Sequence, residues 1–300
     1  MAFQRYLAEE VAIDHVDGVI SRREALRRLG LLGLGVPAAS ALLAACGSGD
    51  DGEAGPAATT ATSGAAAAPP GPAVETEAVT FPGPEGRTLQ GAWAAADQPG
   101  GAVLVIHENR GLTDHIRSVA GRLAASGYSA LAIDLLSAEG GTAALGDEAA
   151  AMAALSSAPQ ERFVADMRAG LDELEQRAAG QKLGAIGFCF GGGMVWTLLA
   201  SGEPRLAAAA PFYGPLPEEA DLSGSPNAAV LGVYAEQDDR VNASRDAATA
   251  ALERAGLTHE IVTYPGVNHA FFNDTGARYD QAAAAQAYQK VLDWFGQHLA

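Results

Sequence analysis

The stretch Gly187-Phe188-Cys189-Phe190-Gly191-Gly192 decides how this chain is read. A short apolar run, Leu183 to Phe188, precedes it, and an apolar helical segment, Met194 to Ala200, follows. Small residues on both sides let the backbone turn sharply from strand to helix and lift one side chain to the apex. That is the logic of the G-x-S-x-G nucleophile elbow, with cysteine in the nucleophile position. A thiol ionises far more readily than a serine hydroxyl, which suits it to attack on carbon. A buried cysteine at a tight turn is the alternative reading of the hexapeptide alone.

A nucleophile needs a base, and the base needs a group to orient it. Two later segments supply both types in the order nucleophile, acid, histidine. Asp238 follows the apolar run Ala228 to Tyr234, and His269 follows Glu260 to Tyr264. In an open parallel sheet the loops beyond the strands' carboxyl ends share one rim, so three distant residues can converge there. Asp239 stands beside Asp238 as a rival for the acid.

The hexapeptide, the later Asp and His269-Ala270-Phe271 together resemble the dienelactone hydrolase family, a cysteine branch of the α/β-hydrolases. The resemblance runs from about Glu77 to Leu299 and takes in Val103-Leu104-Val105-Ile106-His107-Glu108-Asn109, since that family carries a Glu just after an early strand. It implies an α/β-hydrolase fold and hydrolysis of an ester or lactone, with no cofactor. It implies Cys189 as nucleophile, His269 as base and acid, Asp238 as the orienting carboxylate, and Glu108 as a carboxylate modulating the thiol. The oxyanion donors expected with such an elbow are the backbone N–H groups of Phe190 and Asn109. Family members that open dienelactone hold its carboxylate with arginines, one of them two residues after the histidine. This chain has Phe271 there, followed by Phe272. The expected acyl group is therefore less charged and more apolar, with Arg110 and Arg162 as the candidate replacements.

The N-terminus reads as an address. Ser21-Arg22-Arg23-Glu24-Ala25-Leu26-Arg27 has the form of a twin-arginine export signal, followed by a Gly-containing apolar run, Leu29 to Ala45. With its glycines and Pro37, that run is a poor membrane-spanning helix. It ends at Leu43-Ala44-Ala45-Cys46, which resembles a bacterial lipobox. Residues 1–45 are thus expected to be a signal peptide and Cys46 a lipidated, membrane-anchoring residue outside the cytoplasm. Simple cleavage near Ala45, with Cys46 incidental, and a retained anchor remain the alternatives. Residues 46–74, rich in Gly, Ala, Pro, Ser and Thr, lack the apolar periodicity to pack and read as a tether.

Residues 75–300 carry the globular pattern: strands at Ala78–Phe81, Leu89–Ala94, Val103–His107, Ala130–Asp134, Leu183–Phe188, Leu206–Tyr213, Ala228–Tyr234 and Glu260–Tyr264. Helices are expected at Ile116–Ala125, Phe163–Ala178, Met194–Ala200, Ala243–Ala255 and Tyr279–Leu299. Regular β-then-α alternation argues for a mostly parallel sheet with helices on both faces. Fold analogy puts a cap or lid within Asp134–Ser157, where the pattern is weak.

Composition excludes several classes. With 36 acidic and 19 basic residues the net charge is −17, so a nucleic-acid partner is not expected. The two cysteines, Cys46 and Cys189, sit in unlike contexts and do not suggest a disulfide. His115, His259 and His298 show no ligand spacing, so no metal site is expected. Besides hydrolysis, a membrane-tethered binding protein that retains the fold without turnover fits the same residues.

Overall fold

The computed structural model describes residues 2–46 and 71–300; most of the expected tether, residues 47–70, lies outside the described residues. The chain divides into two compact units. One comprises the described part of Met1–Ala67 with Gly146–Ala158, and the other comprises Ala68–Leu145 with Pro159–Ala300.

The larger unit is built on one eight-stranded sheet. In chain order the strands are β1 (Glu77–Pro82), β2 (Thr88–Ala94), β3 (Ala102–Ile106), β4 (Ser129–Asp134), β5 (Leu183–Phe188), β6 (Leu206–Phe212), β7 (Ala229–Ala235) and β8 (His259–Tyr264). Their spatial order is β1-β2-β4-β3-β5-β6-β7-β8. The β1–β2 and β2–β4 pairs are antiparallel, and every later pair is parallel. Every residue of β3, β4, β5 and β7 is buried, so both faces of the central sheet are covered, as their unbroken apolar runs require.

Helices α4 (Asp114–Ala125), α6 (Gln160–Arg177), α7 (Phe190–Ala200) and α10 (Gln281–His298) pack against these strands. Two shorter ones, α8 (Asp239–Asn242) and α9 (Arg245–Ala255), lie between β7 and β8. The chain leaves β3 to one side for β4 and then crosses to the other side for β5. That reversal is the switch point at which open α/β sheets place their sites. Because Ile106 pairs with Gly187, the loops after β3 and β5 emerge side by side.

The smaller unit joins α1 (Ala2–Val16), α2 (Arg22–Leu31), α3 (Val36–Cys46) and α5 (Glu148–Ser157). Ser21 caps α2 by accepting the Glu24 N–H at 3.2 Å, a serine-to-glutamate spacing typical of helix starts. Arg27 and Arg28 of α2 pair with Asp147 and Glu148 at the start of α5, at 2.6 and 3.3 Å. The apolar run Leu29 to Ala45 is interrupted between α2 and α3. No helix among the described residues is long and apolar enough to cross a membrane.

The turn between β5 and α7 sets the strictest packing constraint. A Cβ on Gly191 would lie 2.3 Å from the Ile106 carbonyl oxygen, and one on Gly187 would lie 2.2 Å from the Gly191 carbonyl. The first turn of α7 thus rests directly on the end of β3. Behind the loop after β8, Asp274 accepts from His115 Nδ1 at 2.7 Å and pairs with Arg122, both on α4. Burial pushes the Asp274 carboxyl up, but the His115 hydrogen bond and the Arg122 charge outweigh it and hold the group below its ordinary value.

Two outcomes follow from these contacts. Gly191→Ala should lower the unfolding free energy by about 1–3 kcal/mol or more in urea titrations, since backbone on both sides must move; unchanged stability would contradict the contact. Asp274→Asn should lower the urea midpoint at neutral pH. A depressed carboxylate contributes stability above its unfolded pKa and loses it as pH falls through the folded one, so the gap to wild type should close below the ordinary value of 3.8. A gap that stays constant into acid would count against this role.

Candidate active site

Cys189 stands between β5 and α7 with φ 57° and ψ −118°, a conformation rare for any residue with a side chain. Its N–H donates to the Phe212 carbonyl at 3.1 Å, and its carbonyl accepts from Gly193 N–H at 3.1 Å. The turn is therefore tied to β6 on one side and closes the first turn of α7 on the other. Two further residues at this rim have positive φ, Tyr213 after β6 (33°) and Ala270 after His269 (62°). Strain of this kind gathers where a structure holds side chains for use.

Asp238 and His269 come from the loops after β7 and β8. Those loops are fastened together: Gln237 N–H donates to the Val267 carbonyl at 3.0 Å, and Gly266 N–H to the Glu236 carboxylate at 2.7 Å. One Asp238 oxygen caps α8 at Val241 N–H, 3.3 Å away. The other meets His269 Nδ1 at 2.5 Å, with both side chains buried. Burial alone would raise the Asp238 carboxyl; the facing His269, with help from Arg240 and the Val241 N–H, holds it below the ordinary range. Asp239, the rival acid, is exposed and begins α8. The Tyr213 ring packs edge-on against the imidazole, centroids 5.1 Å apart. The Cys189 sulfur lies within 4.8 Å of a His269 ring nitrogen.

Glu108 and Asn109 follow β3 and are buried beside this corner. Glu108 Oε2 accepts from Asn273 Nδ2 at 2.6 Å, while Oε1 is buried with no hydrogen-bond partner among the described residues. Phe190, at the first position of α7, is fully buried. Cys46 is the last residue of α3, in the other unit.

The neighbouring residues are placed as follows. The rings of Phe271 and Phe272 join a buried aromatic cluster with Phe188, Phe212, Tyr213 and Tyr264. Arg162 is committed to Glu139 at 2.5 Å and to the Leu135 carbonyl. Part of the weakly patterned segment before α6 is helical, as α5. Asn273 and Tyr213 carried no sequence signal, because each acts on a side chain distant in the chain.

The family model described as "Dienelactone hydrolase family" matches residues 89–299. A protein of Escherichia coli (strain K12) named "Putative carboxymethylenebutenolidase" is 32% identical over 219 residues, 68% of this chain and 79% of that one. A protein of the same name from Salmonella typhi is 34% identical over 212 residues, 65% of this chain and 77% of its own. The crystal structure titled "Putative Dienelactone Hydrolase" from Klebsiella pneumoniae matches 74% of this chain and 99% of its own at 30% identity, with a TM-score of 0.64. The elbow, the rim geometry and these likenesses lead to one conclusion: the chain belongs to the dienelactone hydrolase family.

Proposed function

We propose that the chain hydrolyses a carboxylic ester or lactone through Cys189, His269 and Asp238. The observation that carries this reading is the Asp238–His269 bond of 2.5 Å beside a strained cysteine whose sulfur lies within 4.8 Å of the imidazole. Asp238 holds Nδ1 and stabilises positive charge on the ring, so Nε2 is the nitrogen that exchanges protons with the thiol and the substrate. As that proton passes to Nε2, sulfur bonds to the acyl carbon and the carbonyl electrons move onto oxygen. Collapse of this intermediate expels the alkoxide, which takes the proton from Nε2 and leaves an acyl thioester. Water then repeats the sequence, with His269 again base and then acid, releasing the carboxylic acid and restoring the thiol.

The developing oxyanion is assigned to the backbone N–H groups of Phe190 and Asn109, at the start of α7 and just after β3. Glu108 is assigned control of the thiol: its buried Oε1 is an acceptor of the right type for a thiol proton until substrate displaces the carboxylate. The absence of an arginine at position 271 favours an acyl group without a carboxylate. No observation favours the non-catalytic binding alternative.

We further propose export by the twin-arginine route and lipid anchoring through Cys46. The support is sequence: Arg22-Arg23 followed by an apolar run ending in Ala44-Ala45-Cys46.

Three measurements check these readings. The full-length protein should hydrolyse p-nitrophenyl acetate, with Cys189→Ala reduced to background and Asp238→Asn lowered by roughly 10²-fold or more; equal rates for wild type and Cys189→Ala would leave only a binding role. Without substrate, alkylation of Cys189 at neutral pH should accelerate in Glu108→Gln, and an unchanged rate would remove Glu108 from control of the thiol. Labelled palmitate should enter the wild-type protein in a bacterial host and fail to enter Cys46→Ala; equal labelling would remove the anchor.

A further inference from the structure

His107 is the last residue before the Glu108–Gly111 turn and has no exposed surface. Both of its ring nitrogens are engaged. Leu135 N–H, just past β4, points at Nε2 from 3.1 Å. A backbone N–H can only donate, so Nε2 must carry a lone pair and the ring proton must sit on Nδ1. Nδ1 lies 2.6 Å from the Glu108 carbonyl oxygen and therefore donates to it. Burial, which lowers the pKa of His107 against the opposing pull of Asp134 and Glu108, agrees with a neutral ring.

The Glu108 carbonyl thus accepts from His107 and, at 3.3 Å, from Gly111 N–H. In a planar trans peptide the following N–H points opposite to the carbonyl. Holding the Glu108 oxygen on the imidazole therefore directs the Asn109 N–H away from it. The other face of the contact is Phe190. Its ring stacks on the imidazole, centroids 5.8 Å apart and 26° from parallel, and Phe163 packs edge-on against it at 5.5 Å. The first turn of α7 also touches this residue's backbone: a Cβ on Gly191 would come within 2.6 Å of the His107 carbonyl. One ring consequently contacts the peptide that carries the Asn109 N–H and the residue that carries the Phe190 N–H.

We propose that His107 is a positioning residue for the oxyanion site, a neutral Nδ1–H imidazole that fixes both donor N–H groups relative to Cys189. The inference rests on the cysteine hydrolase reading and extends it to a residue outside the Cys189, His269 and Asp238 set. A buried histidine serving only the core would affect stability and nothing specific to charge development on oxygen.

The test compares two reactions of the same sulfur in the full-length protein. Hydrolysis of p-nitrophenyl acetate passes through an oxyanion, whereas alkylation of Cys189 by iodoacetamide displaces iodide and needs none. His107→Leu should lower kcat by about 10-fold or more, since loss of a single oxyanion donor costs about 10²–10³ and displacement costs part of that. KM and the alkylation rate should each stay within about two-fold of wild type, as expected when only a transition-state interaction is lost. His107→Asn, whose amide nitrogen can occupy the place of Nδ1, should recover most of the lost kcat, and His107→Gln should recover less. A kcat for His107→Leu at the wild-type level, a parallel fall in alkylation, or no advantage of Asn over Gln would overturn the proposal. The Asn–Gln comparison decides the matter if the Leu variant does not fold. Wild-type hydrolysis by Cys189→Ala would instead sink the hydrolase reading itself, whatever the His107 variants do.

Discussion

Cys189 is held at φ 57°, a backbone state costing about 1–3 kcal/mol that persists only where its surroundings over-determine it. Here they do. The N–H is fixed to β6, the carbonyl starts α7, and the glycines on either side admit contacts that no Cβ would allow. The strain lifts the sulfur out of the strand line at the sheet's switch point, between the loops after β3 and β6. Remove that turn and the thiol would fall into the sheet, with no path to the imidazole beyond β8.

The rest of the larger unit reads as support for that corner. The loops after β7 and β8 are laced by backbone bonds, so the Asp238–His269 pair is positioned by sheet and loop together rather than by its own attraction. Asn273 reaches back from the His269 loop to Glu108, while Asp274 in the same loop is anchored to α4 through His115 and Arg122. The carboxylates of Asp238, Asp274 and Glu108 thus each have a fixed partner, and the first two are held ionised by opposing cationic or hydrogen-bonding groups. This arrangement fixes the Asp238–His269 pair and the loop that carries it relative to the Cys189 turn.

Much of this was legible in sequence because it is local. The central strands announce themselves as unbroken apolar runs, and each is found within a residue or so of its expected span. Cys189, Asp238 and His269 are marked by their places at strand ends. Helix starts were less visible. The first turn of α7 is Phe190-Gly191-Gly192-Gly193, poor in helix propensity but required by the approach to β3, so propensity placed the start too late, at Met194. The start of α10 is capped by Asp280, and the starts of α4 and α10 each lie two residues from the positions apolar spacing gave. An alanine-rich stretch such as Glu148–Ser157 has no apolar periodicity, so composition alone pointed to its helix and not to the face it buries. Asn273 and Tyr213 are matters of through-space contact, which no pattern along the chain encodes, whereas His107 was visible as the residue ending a strand beside Glu108. Phe271 and Phe272 were read only for the arginine they replace, and packing shows them as part of an aromatic core.

At the centre of the account is a covalent bond between the Cys189 sulfur and an acyl carbon. Rapid quenching of the protein with p-nitrophenyl acetate, followed by peptide mass spectrometry, looks for that bond directly. The account predicts one acetyl group on the peptide containing Cys189, present at early quench times and discharged by water. Turnover with acetyl found only on another residue, or with Cys189 never modified at any quench time, would contradict it.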